Sequence, residues 1–338
     1  MSLSIRNGRT DLVTLGETLV RLDSPVAGPL RHARSLDLGV AGAESNVAIG
    51  LRRLGGTAAW AGRVGDDEFG RLVHMTLAGQ GIDVSRVVVD PEAPTALLVK
   101  ERRTNRLTRV YYYRTGSAGS RLGPSDVPED LIRAAGVLHV TGITAALSDS
   151  AREAVFAAVD TARAASVPVS LDLNYRRALW TADEAGQVLG SLVGRADILF
   201  ATELEAGLVV SGRGAAGLAS ALAALGPREV LVKRGQFGVT ACCDDQLTQS
   251  PAHPVTVVDP VGAGDAFAAA YLAERVRGGP VAERLYAAVG AGAYAVTVAG
   301  DWEGLPSREE LALMPRVSEH GTGEHGTGEH GVNEDVQR

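Results

Sequence analysis

Apolar residues along this chain fall into short runs that alternate with stretches of helical spacing. The runs stand at 12–15, 58–62, 137–140, 167–173, 198–200 and 230–232. Between them, Ala-rich stretches with apolar positions three and four apart occupy 46–54, 69–80, 151–165, 184–192 and 217–225. The first pattern predicts buried strands and the second amphipathic helices. Their alternation predicts βαβ units and a mostly parallel sheet with helices on both faces. Such sheets gather ligands at the carboxyl ends of their strands, so the loops leaving those strands are where chemistry is expected.

Two segments break the alternation. Residues 18–37 and 95–114 lack helical periodicity and carry period-2 patterns, notably Ala96-Leu97-Leu98-Val99 and Val110-Tyr111-Tyr112-Tyr113. They read as a few antiparallel strands inserted into the α/β domain as a small lid; ordinary edge strands are the plainer alternative. The end of the chain differs again. Residues 319–331 repeat Glu-His-Gly-Thr-Gly with nothing apolar to bury, so 317–338 is expected to be disordered. The G-x-G-x-x-G in Gly321, Gly323 and Gly326 has no strand before it and no helix after it, which removes the dinucleotide reading. His320, His325 and His330 read as incidental metal affinity on a solvated tail.

Composition narrows the classes. With 338 residues, 45% apolar and 22% charged, the chain is an ordinary globular protein. A net charge of -7 argues against nucleic acid. The first residues lack an apolar signal core, and the longest uncharged run, 285–300, is too short for a membrane span. Cys242 and Cys243 are the only cysteines; on a strand they point to opposite faces, and a reducing cytoplasm is expected. Only Lys100 and Lys233 are lysines among many arginines.

The most informative stretch is Val257-Val258-Asp259-Pro260-Val261-Gly262-Ala263-Gly264-Asp265-Ala266-Phe267. It predicts an apolar strand ending at Asp259, a glycine turn, and a helix starting near Asp265. Gly262 and Gly264 open backbone angles denied to other residues and leave room for a ligand. Free N–H groups there converge into a phosphate-binding concavity, and a carboxylate at its edge can take a proton from an attacking hydroxyl. The plainer alternative makes Asp265 a helix N-cap. No G-x-x-x-x-G-K-[ST] occurs, which excludes a P-loop kinase.

This stretch resembles the C-terminal signature of the ribokinase-like, or PfkB, carbohydrate kinases. The N-terminal signature is matched by Ala41-Gly42-Ala43-Glu44-Ser45-Asn46-Val47-Ala48, Leu54-Gly55-Gly56 and Gly62-Arg63-Val64-Gly65-Asp66-Asp67-Glu68-Phe69-Gly70. The resemblance covers 11–312. It implies a three-layer α/β/α sandwich with a mostly parallel central sheet and a small β lid. It also implies Asp265 as catalytic base, an anion hole from Gly262, Ala263 and Gly264, ATP and Mg²⁺ as cofactors with room for a monovalent cation, and pairing of protomers through the lid.

Tyr112 and Arg114 are two apart on a predicted strand and so leave one face, while Tyr111 and Tyr113 leave the other, where packing under the lid is expected. Arg176 follows the predicted strand 167–173 within Asn174-Tyr175-Arg176. Two arginines on one rim suit a carboxylate-bearing substrate; surface ion pairs are the plainer alternative. Tyr112-Tyr113-Arg114, Asn174-Tyr175-Arg176, Ser117-Ala118-Gly119-Ser120 and Gly142-Ile143-Thr144 are similar to the branch of the family that phosphorylates acidic keto-deoxy sugars. That resemblance implies a sugar pocket of Ala41, Gly42, Ala43, Glu44, Ser45, Tyr112, Arg114, Ile143, Arg176 and Asp301.

On the nucleotide side, Val230-Leu231-Val232-Lys233 runs into the glycine loop Arg234-Gly235-Gln236-Phe237-Gly238. The resemblance implies that Asn174, Thr202, Lys233, Gly235 and Gly238 join the Gly262–Gly264 turn at the nucleotide; a plain hairpin turn is the alternative for the two loop glycines. Glu205 is implied to order Mg²⁺ through water. Two positions depart from the family pattern: Thr202 stands where Asn is usual, and Val289 where an Asn often touches adenine. Three alternatives remain: a fructokinase- or ribokinase-type kinase, a non-catalytic sugar-binding regulator on the same fold, and a nicotinamide dehydrogenase.

Overall fold

The computed structural model describes residues 9–104 and 107–314, so the expected disorder of 317–338 lies outside the described residues. The strands in chain order are β1 (Leu12–Leu15), β2 (Leu19–Asp23), β3 (Asp37–Ala41), β4 (Ala58–Gly65), β5 (Val87–Asp90), β6 (Leu97–Arg102) and β7 (Thr108–Tyr113). They continue as β8 (Val137–Thr141), β9 (Val169–Asp172), β10 (Ile198–Thr202), β11 (Glu229–Lys233), β12 (Val239–Cys243) and β13 (Gln246–Ser250). Nine form one sheet, in the order β13-β12-β11-β10-β9-β8-β1-β4-β5. From β11 to β5 every neighbour is parallel, and the hairpin β12–β13 extends the sheet antiparallel at one edge.

Alternate residues of the sheet feed two cores. One face packs helices Ala43–Arg53, Ala263–Val276 and Val281–Ala295 on Leu12, Phe200 and Leu231. The other packs Asp149–Ala164, Ala182–Val193 and Gly214–Ala223 on Val13, Leu199 and Val230. The result is the expected three-layer sandwich. Cys242 and Cys243 lie in different cores, as strand alternation requires, and both are free thiols.

The inserted segments form a separate four-stranded sheet, β3-β2-β6-β7. Only part of it is antiparallel: β2 pairs with β6 in parallel, because the chain returns from β4 and β5 to re-enter this sheet in its first direction. The apolar run before the glycine turn is not a strand. Residues 251–260 are irregular, with Val257 59% and Val258 61% exposed, so β-branched composition there finds no neighbouring strand to pair with. Among the described residues, no single helix is long and apolar enough to cross a membrane.

Two glycines set the approach of the layers to the site. A Cβ at Gly50 would stand 2.6 Å from the Ala269 Cβ, so helices Ala43–Arg53 and Ala263–Val276 meet nearly backbone to backbone. A Cβ at Gly16, just after β1, would strike the buried Glu44 carboxylate at 2.4 Å.

Candidate active site

Gly262 caps helix Ala263–Val276 with φ 78°, in the left-handed region. A Cβ there would also lie 2.0 Å from the Asp301 carbonyl oxygen, so conformation and packing both demand glycine. The first-turn amides that follow have no intrahelical acceptors, and the helix dipole adds partial positive charge. Asp265 belongs to that first turn. It is not the N-cap, so the plainer alternative for it falls.

Asp265 is half-buried as a residue, and its Oδ2 accepts a hydrogen bond from Asn46 Nδ2 at 2.7 Å. Burial pushes its pKa up to about 7; the Asn46 bond opposes this, Asp172 adds to it, and Arg176 and Lys233 pull it down. A carboxylate so poised can accept a proton near neutral pH.

A buried ion pair stands behind the turn. Lys233 Nζ, at the end of β11, donates to Asp172 Oδ2 at 2.7 Å, at the end of β9. A Cβ on Gly264 would lie 3.4 Å from that ammonium. Burial disfavours the ammonium charge, but Asp172 and Glu205 outweigh it and raise the Lys233 pKa. Its positive charge therefore sits directly behind the amides that would hold a phosphate.

The residues expected at the sugar cluster around the same rim, in different states. Ala41 ends β3, and Gly42 and Ala43, partly exposed, open helix Ala43–Arg53. Glu44 and Ser45 are buried: Glu44 Oε1 accepts from Thr141 Oγ1 at 2.7 Å and Thr144 Oγ1 at 2.6 Å. Burial raises the Glu44 pKa despite those hydroxyls, and the Glu17 charge adds to the rise. Ile143 is half-buried on helix Gly142–Ala145, and Arg176 is half-buried in the loop after β9.

Arg114 lies one residue past β7, with its guanidinium 5.1 Å above the Tyr112 ring and its Nη2 on Glu17 Oε2. Glu17, 3% exposed, also accepts from Ser117 Oγ at 3.1 Å. Tyr111 bonds Glu101, yet at 39% it is exposed, as Tyr113 is at 64%, so the expected packing under the lid holds for neither on this edge strand. Asp301 Oδ2 is taken by Arg21 Nη1 at 2.6 Å and Lys100 Nζ at 2.9 Å.

On the nucleotide side, Thr202 and Glu205 form a reciprocal capping box that starts helix Glu203–Val209. Glu205 accepts from Thr202 N at 2.7 Å and from Tyr175 N at 3.0 Å, so it also braces the loop after β9. Asn174 in that loop is buried at φ 40°. Gly235 and Gly238 shape the hairpin between β11 and β12; a Cβ at Gly238 would be 2.0 Å from the Ser250 carbonyl, which accounts for that glycine by turn geometry. Val289 is a core residue of helix Val281–Ala295. Among the described residues no three metal-ligating side chains converge. The donors near the turn are hard oxygens, including the buried, unpartnered Asp172 Oδ1, which fits a Mg²⁺ carried largely by phosphates.

Sequence reasoning did not single out Asn46, Asp172, Glu17 or Arg21. For Asn46 and Asp172 a signal existed: a polar residue inside an apolar helix start, and an acid closing an apolar strand.

A ribokinase-like sandwich with a raised-pKa carboxylate beside a left-handed glycine turn suits a phosphotransferase with an alcohol acceptor. Residues 9–308 match the pfkB family carbohydrate kinase model, and the chain belongs to that family. It is a sugar kinase similar to the 2-dehydro-3-deoxygluconokinase of Thermoproteus tenax, with 39% identity over 303 residues, 88% of this chain and 92% of that protein. The 2-dehydro-3-deoxygalactonokinase of Haloferax volcanii is 36% identical over 293 residues, 86% of this chain and 92% of that protein. Fructokinase from Vibrio cholerae, solved with fructose, ADP and calcium, superposes with a TM-score of 0.79 at 28% identity, covering 90% of this chain and 99% of that one.

Proposed function

We propose that this kinase transfers the γ-phosphoryl group of ATP to the 6-hydroxyl of 2-keto-3-deoxygluconate. The observation that carries the chemistry is Asp265, raised to about 7, in the first turn of a helix capped by left-handed Gly262. Two arginines on the rim, Arg114 and Arg176, support an acidic rather than a neutral sugar.

In this reading the sugar hydroxyl lies against Asp265, which takes its proton as the new O–P bond forms. The bond from the γ-phosphorus to the bridging oxygen breaks, and ADP leaves. The amides of Ala263 and Gly264 hold the phosphoryl oxygens, and Lys233 adds charge from behind. Glu205 would order the waters of a bound Mg²⁺, whose charge would offset that of the phosphates. Arg114 and Arg176 grip the carboxylate, and Ala41 to Ser45, Tyr112, Ile143 and Asp301 complete the sugar side. Asn174, Thr202, Gly235 and Gly238 flank the nucleotide.

The adjacent buried thiols support a reducing cytoplasm. The exposed Leu38, Tyr111, Tyr112 and Tyr113 on the four-stranded sheet support self-association there, which light scattering tests.

The test is ADP release and product mass with ATP, Mg²⁺ and a panel of acidic and neutral sugars, with and without K⁺. We expect kcat/KM for 2-keto-3-deoxygluconate at least about tenfold above fructose and ribose. Equal or reversed preference would remove the acidic-sugar reading and leave the kinase.

A further inference from the structure

Arg21 lies on β2, in the four-stranded sheet, yet its side chain is only 7% exposed. Its guanidinium is held by three carboxylates. Nε bonds Asp23 at 2.5 Å, Nη1 bonds Asp301 at 2.6 Å and Glu303 at 3.2 Å, and Nη2 bonds Glu303 at 2.8 Å. Lys100 on β6 adds a second cation to Asp301. Burial works against the guanidinium charge, but Glu303, Asp301 and Asp23 more than offset it.

The partners of Arg21 matter because of what lies behind them. The Asp301 carbonyl packs on Gly262 so closely that no Cβ fits between them, and Gly300 N bonds Asp259 Oδ2 at 3.4 Å. Trp302 Nε1 in the same turn donates to Val40 O of β3 at 3.1 Å. Residues 300–303 are therefore wedged between the four-stranded sheet and the glycine turn.

We propose that Arg21 is a positioning residue that registers the four-stranded sheet against the Gly262 turn through Asp301 and Glu303, and so holds the anion-binding amides in place for phosphoryl transfer. This rests on the kinase reading of that turn. A lysine cannot replace it, since an ammonium lacks the planar fork that serves three carboxylates at once.

The test compares Arg21→Met and Arg21→Lys with Arg284→Met in the full chain. Arg284 is also mostly buried and pairs with Glu229, at the opposite end of the sheet. Two readouts are used: amide hydrogen exchange across 259–267, which needs no turnover, and kcat against KM for ATP and sugar.

We expect faster exchange in that peptide and kcat lower by about tenfold or more in both Arg21 variants, with KM for ATP within about threefold. Arg284→Met is expected to lower thermal stability and leave exchange at 259–267 and kcat unchanged. Unchanged exchange, or kcat within twofold, in a folded Arg21 variant overturns the proposal. If neither Arg21 variant folds, Lys100→Met, which leaves Arg21 intact, carries the same two expectations at twofold or more. Absence of phosphoryl transfer by the unmodified protein would sink the kinase reading, and the exchange readout distinguishes that failure from this one.

Discussion

Asn46 Nδ2 meets Asp265 Oδ2 at 2.7 Å, although 219 residues separate them in the chain. The two helices that carry them touch closely at Gly50 and Ala269, which brings the short amide within reach. The bond favours the ionised carboxylate, so its loss should raise the Asp265 pKa above about 7. A base works deprotonated, so the acid limb of kcat/KM in Asn46→Ala should move to higher pH by about half a unit or more. A pH–rate profile checks it; an unmoved or lowered limb would refute the assignment of Asp265 as base.

Asp265→Asn should lower kcat by about a thousandfold or more and leave ATP affinity within a few fold, read by single-turnover assay and calorimetry. The same variant should be more stable than the unmodified protein, but only where Asp265 is charged. The folded pKa lies above the ordinary carboxylate value, so folding is penalised as pH rises through the interval between them. Below that interval the penalty vanishes. A melting-temperature gain of about 2–4 °C at pH 8, absent at pH 3, is expected; the residue keeps solvent contact, which limits the size. An equal gain at both pH values would contradict the raised pKa.

The sequence showed the architecture because buried parallel strands and amphipathic helices each carry a strong period. β1 begins and ends where the pattern put it, and β9 and β11 differ by a residue or two at their ends. The pattern failed at 257–258, where β-branched residues lie in irregular chain and exposed. Strand composition needs a partner strand, and no window of sequence reports one. Asp265 and its glycines were legible because their chemistry is local to one turn. Glu17 and Arg21 were not, since each acts through a partner from another element; Asp172 was marked as an acid closing an apolar strand, but its partner was not. The Asp172–Lys233 pair exists only once β9 and β11 flank β10. The family resemblance implies Glu205 at Mg²⁺ and Thr202 at the nucleotide, but Thr-x-x-Glu before a helix is equally the pattern of a capping box, and the structure shows that box.

Gly262→Ala should be far more damaging than Gly264→Ala. The first faces both a left-handed φ of 78° and a carbonyl oxygen 2.0 Å from the new methyl group. The second has ordinary φ, and its methyl group would meet only the flexible end of Lys233 at 3.4 Å. A kcat loss of about a hundredfold or more for Gly262→Ala is expected, with a lowered melting temperature, against about tenfold or less for Gly264→Ala. Steady-state kinetics and calorimetry on both variants check it. Equal losses would mean that the turn's shape is not what holds the phosphoryl group.

Arg114 tests the acidic-sugar assignment. Its guanidinium is stacked on Tyr112 and anchored at one nitrogen by Glu17, while its Nε is buried without a partner. One edge of the fork is fixed by the protein, and on the acidic-sugar reading the rest would recognise an anion. Arg114→Ala should raise KM for an acidic sugar by about tenfold or more and for a neutral one by about threefold or less. Arg114→Lys keeps the charge but loses the fork, and should recover only part of that difference. Alanine also strands the buried Glu17 carboxylate, so a lower melting temperature is expected in Arg114→Ala. Stability loss alone would weaken both sugars alike. Only a change in their KM ratio bears on recognition, and an unchanged ratio would take Arg114 out of the carboxylate site.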